Sequence, residues 1–238
     1  MRLDKYICDS LGLTRKEATK IIKSGDVTVD GDIQKSGAFK VREQACVEWQ
    51  ERELVKPGPN YIMLNKPEGF VCSQEDDFNH TVYVLFDEPN AYKWHFAGRL
   101  DVDTTGLVLM TDDGQWSHRI TSPKHKCDKV YRVVLADPMG HDYVEKFAEG
   151  IQLRNEKELT KPAYLEVLSE KEALLTIHEG KYHQVKRMFA ALGNKVISLH
   201  RERIGPIVLD PELEPGEYRY LSDNEISSVF IPKRPEDA

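Results

Sequence analysis

Cysteine is scarce in this chain. There are four in 238 residues (Cys8, Cys46, Cys72 and Cys127), and no two stand at a C-x-x-C spacing. That pattern suggests neither a thiolate zinc site nor a disulfide framework, and it fits a reduced, cytoplasmic setting. No apolar run approaches the roughly 18 residues of a membrane span. Charges at Arg2, Asp4 and Lys5 occupy the place where a signal peptide has its apolar stretch. A glycine-rich phosphate loop, a βαβ rhythm, internal repeats and low-complexity tracts are also missing, which disfavours a doubly wound nucleotide-binding fold. The chain has no positive excess either: 33 Lys and Arg stand against 40 Asp and Glu, a net charge of −7. As a whole-chain value that opposes a nucleic-acid partner.

What is present reverses that last impression. Composition, at 40% hydrophobic and 31% charged, is that of a folded globular protein, long enough for one large domain and a smaller one. The charge is segregated. Residues 1–24 carry six Lys/Arg against three Asp/Glu, residues 117–132 five against one, and residues 181–203 six against one. The acids collect at Glu75-Asp76-Asp77 and from Asp210 to Glu225. A basic face on an acidic body guides a polyanion whatever the net value.

Leu3, Ile7 and Leu11 recur at helical spacing and predict a short amphipathic helix over 2–11. Thr14 and Glu17 form a capping box that opens a second helix, ending at Gly25 and burying Ala18, Ile21 and Ile22. Lys16, Lys20 and Lys23 share another face of it, a ridge that suits a row of phosphates. Asp30-Gly31 marks a two-residue hairpin turn. Lys56-Pro57-Gly58-Pro59 opposes both helix and central strand and reads as a linker, dividing the chain into 1–58 and 59–238. Beyond it the pattern predicts strands at Tyr61–Leu64, Leu107–Met110, Val130–Leu135, Ala163–Leu168, Ala173–His178 and Val196–His200. Helices are predicted near Gln115–Thr121, Asp142–Gly150 and His183–Leu192, the last burying Val185, Met188, Phe189 and Leu192. This mixture is α+β: a mainly antiparallel mixed sheet flanked by helices.

Chemistry concentrates between Gly98 and Gly114. Four carboxylates (Asp101, Asp103, Asp112 and Asp113), Arg99, Thr104 and Thr105 surround the short apolar run Leu107–Met110. Loops at the ends of a buried strand are common places for site residues. Asp101-Val102-Asp103-Thr104-Thr105 fits the D-x-D-x-T pattern of haloacid-dehalogenase-like phosphatases, which hold Mg²⁺ between two carboxylates. Gly98-Arg99 interrupts the strand that pattern needs, and a guanidinium two residues away would compete with the cation. Asp103, Thr104 and Thr105 are expected to hold the loop through side-chain to backbone hydrogen bonds. Arg99 suits an ion pair with Asp103. Asp112 or Asp113 caps the following helix, and Lys66 and Pro67 read as scaffold. His118, His125, His183 and His200 fall in the basic runs at spacings that suggest no metal site.

The string from Gly98 to Gly114 resembles the catalytic motif of pseudouridine synthases, in the branch acting on bacterial ribosomal RNA. Three further segments agree: Asn65-Lys66-Pro67-Glu68-Gly69-Phe70-Val71-Cys72-Ser73, Lys129-Val130-Tyr131-Arg132-Val133, and Glu179-Gly180-Lys181-Tyr182-His183-Gln184-Val185-Lys186-Arg187-Met188-Phe189. Residues 1–50 resemble the S4-type RNA-binding module. The resemblance implies an S4-like domain joined to a catalytic domain, and an isomerase without cofactor or metal. Its implied substrate is 16S rRNA at uridine 516, presented on a partly assembled small subunit and modified by a monomer. It implies Asp101 as the nucleophile, Lys186 as its cationic partner and Tyr131 as the aromatic stacked on the flipped base. Arg99, Lys129, His183, Arg187 and the N-terminal Arg2, Lys5, Arg15, Lys16, Lys20 and Lys23 are its implied RNA contacts. The residues themselves leave open whether Asp101 attacks the sugar, attacks the base or removes a sugar proton. They also leave open a 23S rRNA target and a non-catalytic rRNA-binding assembly factor.

Overall fold

A computed structural model describes residues 1–42, 44–55, 58–88, 90–125 and 127–230. Lys56 and Pro57 of the expected linker, and Lys126 of the second basic run, lie outside the described residues. The chain divides into two units, Met1–Pro59 and Asn60–Ala238.

In the first unit, α1 (Leu3–Leu11) buries Leu3 and Ile7 and ends at Gly12, whose φ of 66° gives the left-handed cap. The Thr14–Glu17 capping box is formed and starts α2 (Arg15–Ser24). Ala18 and Ile22 are fully buried, whereas Ile21 is only partly so. β1 (Val27–Val29) and β2 (Asp32–Ile33) meet through Asp30 and Gly31, both at positive φ (52° and 85°), as a two-residue hairpin turn requires. β3 (Val47–Trp49) pairs with β1, and β4 (Arg52–Glu53) pairs with β3. Val27, Val29 and Val47 close one core with the helices. Lys16, Lys20 and Lys23 stay outside it, exposed.

The second unit is built on a nine-stranded sheet. Its chain runs through β5 (Tyr61–Lys66), a separate parallel pair β6 (Phe70–Val71) and β7 (His80–Thr81), then β8 (His95–Phe96) and β9 (Thr105–Thr111). There follow α3 (Gly114–Thr121), β10 (Lys129–Leu135), α4 (Tyr143–Glu149), β11 (Tyr164–Ser169), β12 (Glu172–Ile177) and α5 (Gln184–Ala191). The last elements are β13 (Val196–Ile204), β14 (Ile207–Val208), β15 (Tyr218–Tyr220) and α6 (Asp223–Ser228). The path is β11-β12-β10-β13-β9-β5-β15, with β14 on β13 and β8 on β9. Every pairing in it is antiparallel except β9 with β13. The sheet is therefore mixed, and the fold is α+β.

Burial explains why β5 and β9 are apolar without alternation. Ile62, Leu64, Val108 and Met110 enter one core with Phe147 of α4 and Met188 and Phe189 of α5. Met63, Leu107 and Leu109 enter a second core on the opposite face with Trp116 and Ile120 of α3. A strand buried on both faces needs apolar residues at every position. Its polar neighbours are thereby confined to the ends, where the site lies.

Candidate active site

The loop before β9 is fixed from beneath. Lys66, fully buried at the end of β5, donates from Nζ to the carbonyls of Thr104 (2.7 Å), Pro67 (3.0 Å) and Val102 (3.3 Å). Burial pulls its pKa below that of a free lysine. Arg201 of β13, 1% exposed, holds the same loop from the other side. Its guanidinium donates to the carbonyls of Leu107 (2.7 Å), Gly98 (3.1 Å) and Arg99 (3.3 Å), and to the Tyr131 hydroxyl (3.4 Å). Within the loop the Thr104 amide closes a turn on the Asp101 carbonyl at 3.1 Å. The close approach of β13 requires Gly106: at its φ of 100°, a Cβ would lie 2.4 Å from the Arg201 carbonyl. A glycine inside a strand often marks such a contact.

Held this way, Asp101 faces α5. Lys186 Nζ donates to its carboxylate at 3.1 Å and to Asp103 at 2.5 Å, so one ammonium bridges two carboxylates. Burial opposes charge on Lys186, but the hydrogen bonds and charges of Asp103 and Asp101 outweigh it, and its pKa lies above the ordinary value. Burial likewise opposes the Asp103 carboxylate, yet Lys186 leaves it below its usual range. His183, the N-cap of α5 at φ 48°, places Nε2 3.5 Å from the Asp101 carboxylate. Gln184 locks this turn, accepting from the Lys181 amide and donating to Glu179, both at 2.8 Å. Tyr131, in mid-β10 and 7% exposed, forms another wall. Asp101, Tyr131, His183, Gln184 and Lys186, together with Arg99 and Thr104, line an open cleft. The Thr104 hydroxyl is buried there without a hydrogen-bond partner among the described residues.

Several sequence expectations need correction. The hydroxyls of Thr104 and Thr105 do not hold the loop: Thr105 meets His200 at 2.9 Å and the Thr104 hydroxyl has no hydrogen-bond partner among the described residues, while Asp103 binds Lys186. Lysine and arginine donors bound to the loop's carbonyls do that work instead. Lys129 is buried and donates to the Cys127 carbonyl at 2.8 Å. Arg187 is likewise engaged internally. Its guanidinium donates to Glu156 at 3.1 Å and to the carbonyls of Tyr182 (3.1 Å) and Arg154 (2.8 Å). Arg2, Lys5 and Arg15 are all exposed, and Arg2 is also paired with Asp4 at 2.6 Å. Arg99 is exposed and, among the described residues, its guanidinium has no partner. Asp113 caps α3, and Asp112 accepts from Asn60.

Sequence reading missed Arg201, counting it as one more charge in a basic run. A signal was present: it stands two residues after buried Leu199 on a strand, hence on the inward face.

The RNA pseudouridylate synthase family model matches residues 60–191, and the S4 domain model matches residues 1–45. The chain is 73% identical to ribosomal small subunit pseudouridine synthase A of Vibrio vulnificus (strain CMCP6), covering 97% of this chain and all of that one. It is 58% identical to the protein of that name from Escherichia coli (strain K12), over 96% of this chain and all of its relative. A solved structure described as a pseudouridylate synthase superposes with a TM-score of 0.70 at 56% identity, covering 96% of this chain and 99% of that one.

Proposed function

Because the chain belongs to the RNA pseudouridylate synthase family, we propose that it converts one uridine of 16S rRNA, uridine 516, to pseudouridine. The observation that carries this reading is the Asp101–Lys186 pair, 3.1 Å apart at a cleft walled by Tyr131. In the isomerisation the N1–C1′ bond breaks, the uracil turns, and C5 bonds to C1′. C5 gives up its proton and N1 gains one, so no redox partner or energy source is needed.

Asp101 is the nucleophile toward the target nucleoside. Lys186 keeps a positive charge against it and fixes its direction, as an ion pair does in a partly desolvated pocket. The target base leaves its stack to reach this carboxylate, and Tyr131 offers an aromatic face to the flipped uracil. Arg99, exposed and with no guanidinium partner among the described residues, takes the phosphate of the flipped nucleotide. Residues 1–58 hold the RNA through Lys5, Arg15, Lys16, Lys20 and Lys23, and residues 59–238 carry the chemistry. The protein acts as a monomer in the cytoplasm, on a partly assembled small subunit.

Tritium release from C5-labelled uridine in 16S rRNA tests the reading, with and without EDTA. Release that survives EDTA is the expected result. Phosphate release abolished by EDTA would establish the phosphatase instead, and tight RNA binding with neither product would leave an assembly factor. Mapping the modified nucleotide then separates uridine 516 from other positions and from 23S rRNA.

A further inference from the structure

Tyr182 has no place in the chemistry above, yet it is 77% exposed and sits at the rim of the cleft. Among the described residues it is the one exposed aromatic whose two chain neighbours, Lys181 and His183, both line that cleft. Single exposed aromatics need no explanation, but this one is held in place. Its ring stacks on the His183 imidazole, with centroids 3.8 Å apart and planes within 19°. His183 is kept in the left-handed region at φ 48°, where a non-glycine residue is costly. The Tyr182 carbonyl accepts from Arg187 at 3.1 Å, and Arg187 is itself anchored to Glu156.

One face of the tyrosine is covered by His183, and its exposure leaves the other open. The His183 imidazole that backs this ring places Nε2 3.5 Å from the Asp101 carboxylate, so the stack stands beside the group that meets the target uridine. A strand with one base flipped into the cleft has its neighbouring base unstacked on one side. An aromatic platform restores that lost stacking without regard to base identity.

Resting on the pseudouridine synthase reading, we propose that Tyr182, backed by His183, is a stacking platform for the nucleobase flanking the target uridine. The ligand is a nucleobase of single-stranded RNA, and the site contributes affinity and register rather than bond making.

The test uses the full protein and a 16S rRNA fragment in which each nucleotide flanking the target is replaced in turn by an abasic residue. Tyr182→Ala is expected to raise KM roughly ten-fold, within the range of one base stack, and to leave kcat within about two-fold. Tyr182→Phe and Tyr182→Trp should retain wild-type KM. For one flanking position, the abasic change should raise KM for the wild type by a similar factor and have no further effect on Tyr182→Ala. Additive effects of the two changes, or equal losses in Tyr182→Phe and Tyr182→Ala, would overturn the platform. A wild type that forms no pseudouridine at any uridine would instead remove the reading on which it rests.

Discussion

The basic residues of α2 and those around α5 look alike in sequence and meet opposite fates in the fold. On α2, Lys16, Lys20 and Lys23 are exposed and, among the described residues, none has a hydrogen bond or ion pair. In the run from Lys181 to Arg203 the charges are mostly used internally. Lys181 and Arg187 share Glu156, Lys186 bridges Asp101 and Asp103, and Arg201 is buried on backbone carbonyls. Free cations on a helix face attract a polyanion at a distance and are screened by salt. Cations matched to carboxylates and carbonyls fix geometry and are hardly screened. A charge count along the chain cannot tell these apart.

The sharpest way to break this contrast is Asp101→Asn. Turnover should fall at least about 10⁴-fold, while RNA affinity measured by filter binding stays within a few-fold. Lys186→Gln comes next, with kcat/KM expected to drop about 10²-fold. Lys186 holds the Asp103 carboxyl below its usual range, so removing it leaves two neighbouring carboxylates without their cation. Asp103 is then protonated at higher pH, and the acidic limb of the pH–rate profile should move upward. An unmoved limb would mean that the Lys186–Asp103 contact does not govern the reaction's acid limb.

Replacing Lys16, Lys20 and Lys23 together by alanine probes the other region. RNA affinity should fall by an order of magnitude or so, and the log–log salt slope should flatten by roughly 2, as three single-strand phosphate contacts would give. Single-turnover kcat should not change. The smallest effect is expected from Thr14→Ala, which removes the N-cap of α2 and costs about 1 kcal/mol. Hydrogen exchange of α2 amides should report that loss, with the salt slope unaltered because the lysines remain.

Much of the architecture could be read in advance where one local rule governs it. The capping box at Thr14 and Glu17, the Asp30-Gly31 turn and the continuous apolar run of β9 each follow from short-range chemistry. β15 and α6 were not foreseen. The first is only Tyr218–Tyr220, too short to show a period, and the Ser222–Glu225 capping box of the second stands in an acidic stretch that reads as solvated surface. In the site, the Asp101–Lys186 contact joins residues 85 positions apart. No local pattern announces such a meeting, and only the family resemblance put the two side by side. Asp103 illustrates the remaining gap, since its choice of Lys186 over Arg99 depends on how α5 packs on the sheet.

The Arg201 clasp also has a consequence in time. Arg201 is joined to Leu100's neighbours Gly98 and Arg99, and to Tyr131, across as many as 103 positions of chain. A ribosome making this protein releases α1 and α2 early and β13 late, and domains generally fold in that order as they emerge. The nascent chain thus presents the lysine face of α2 long before Asp101 has a fixed direction. A prematurely terminated chain that ends before β13 should hold RNA without modifying it.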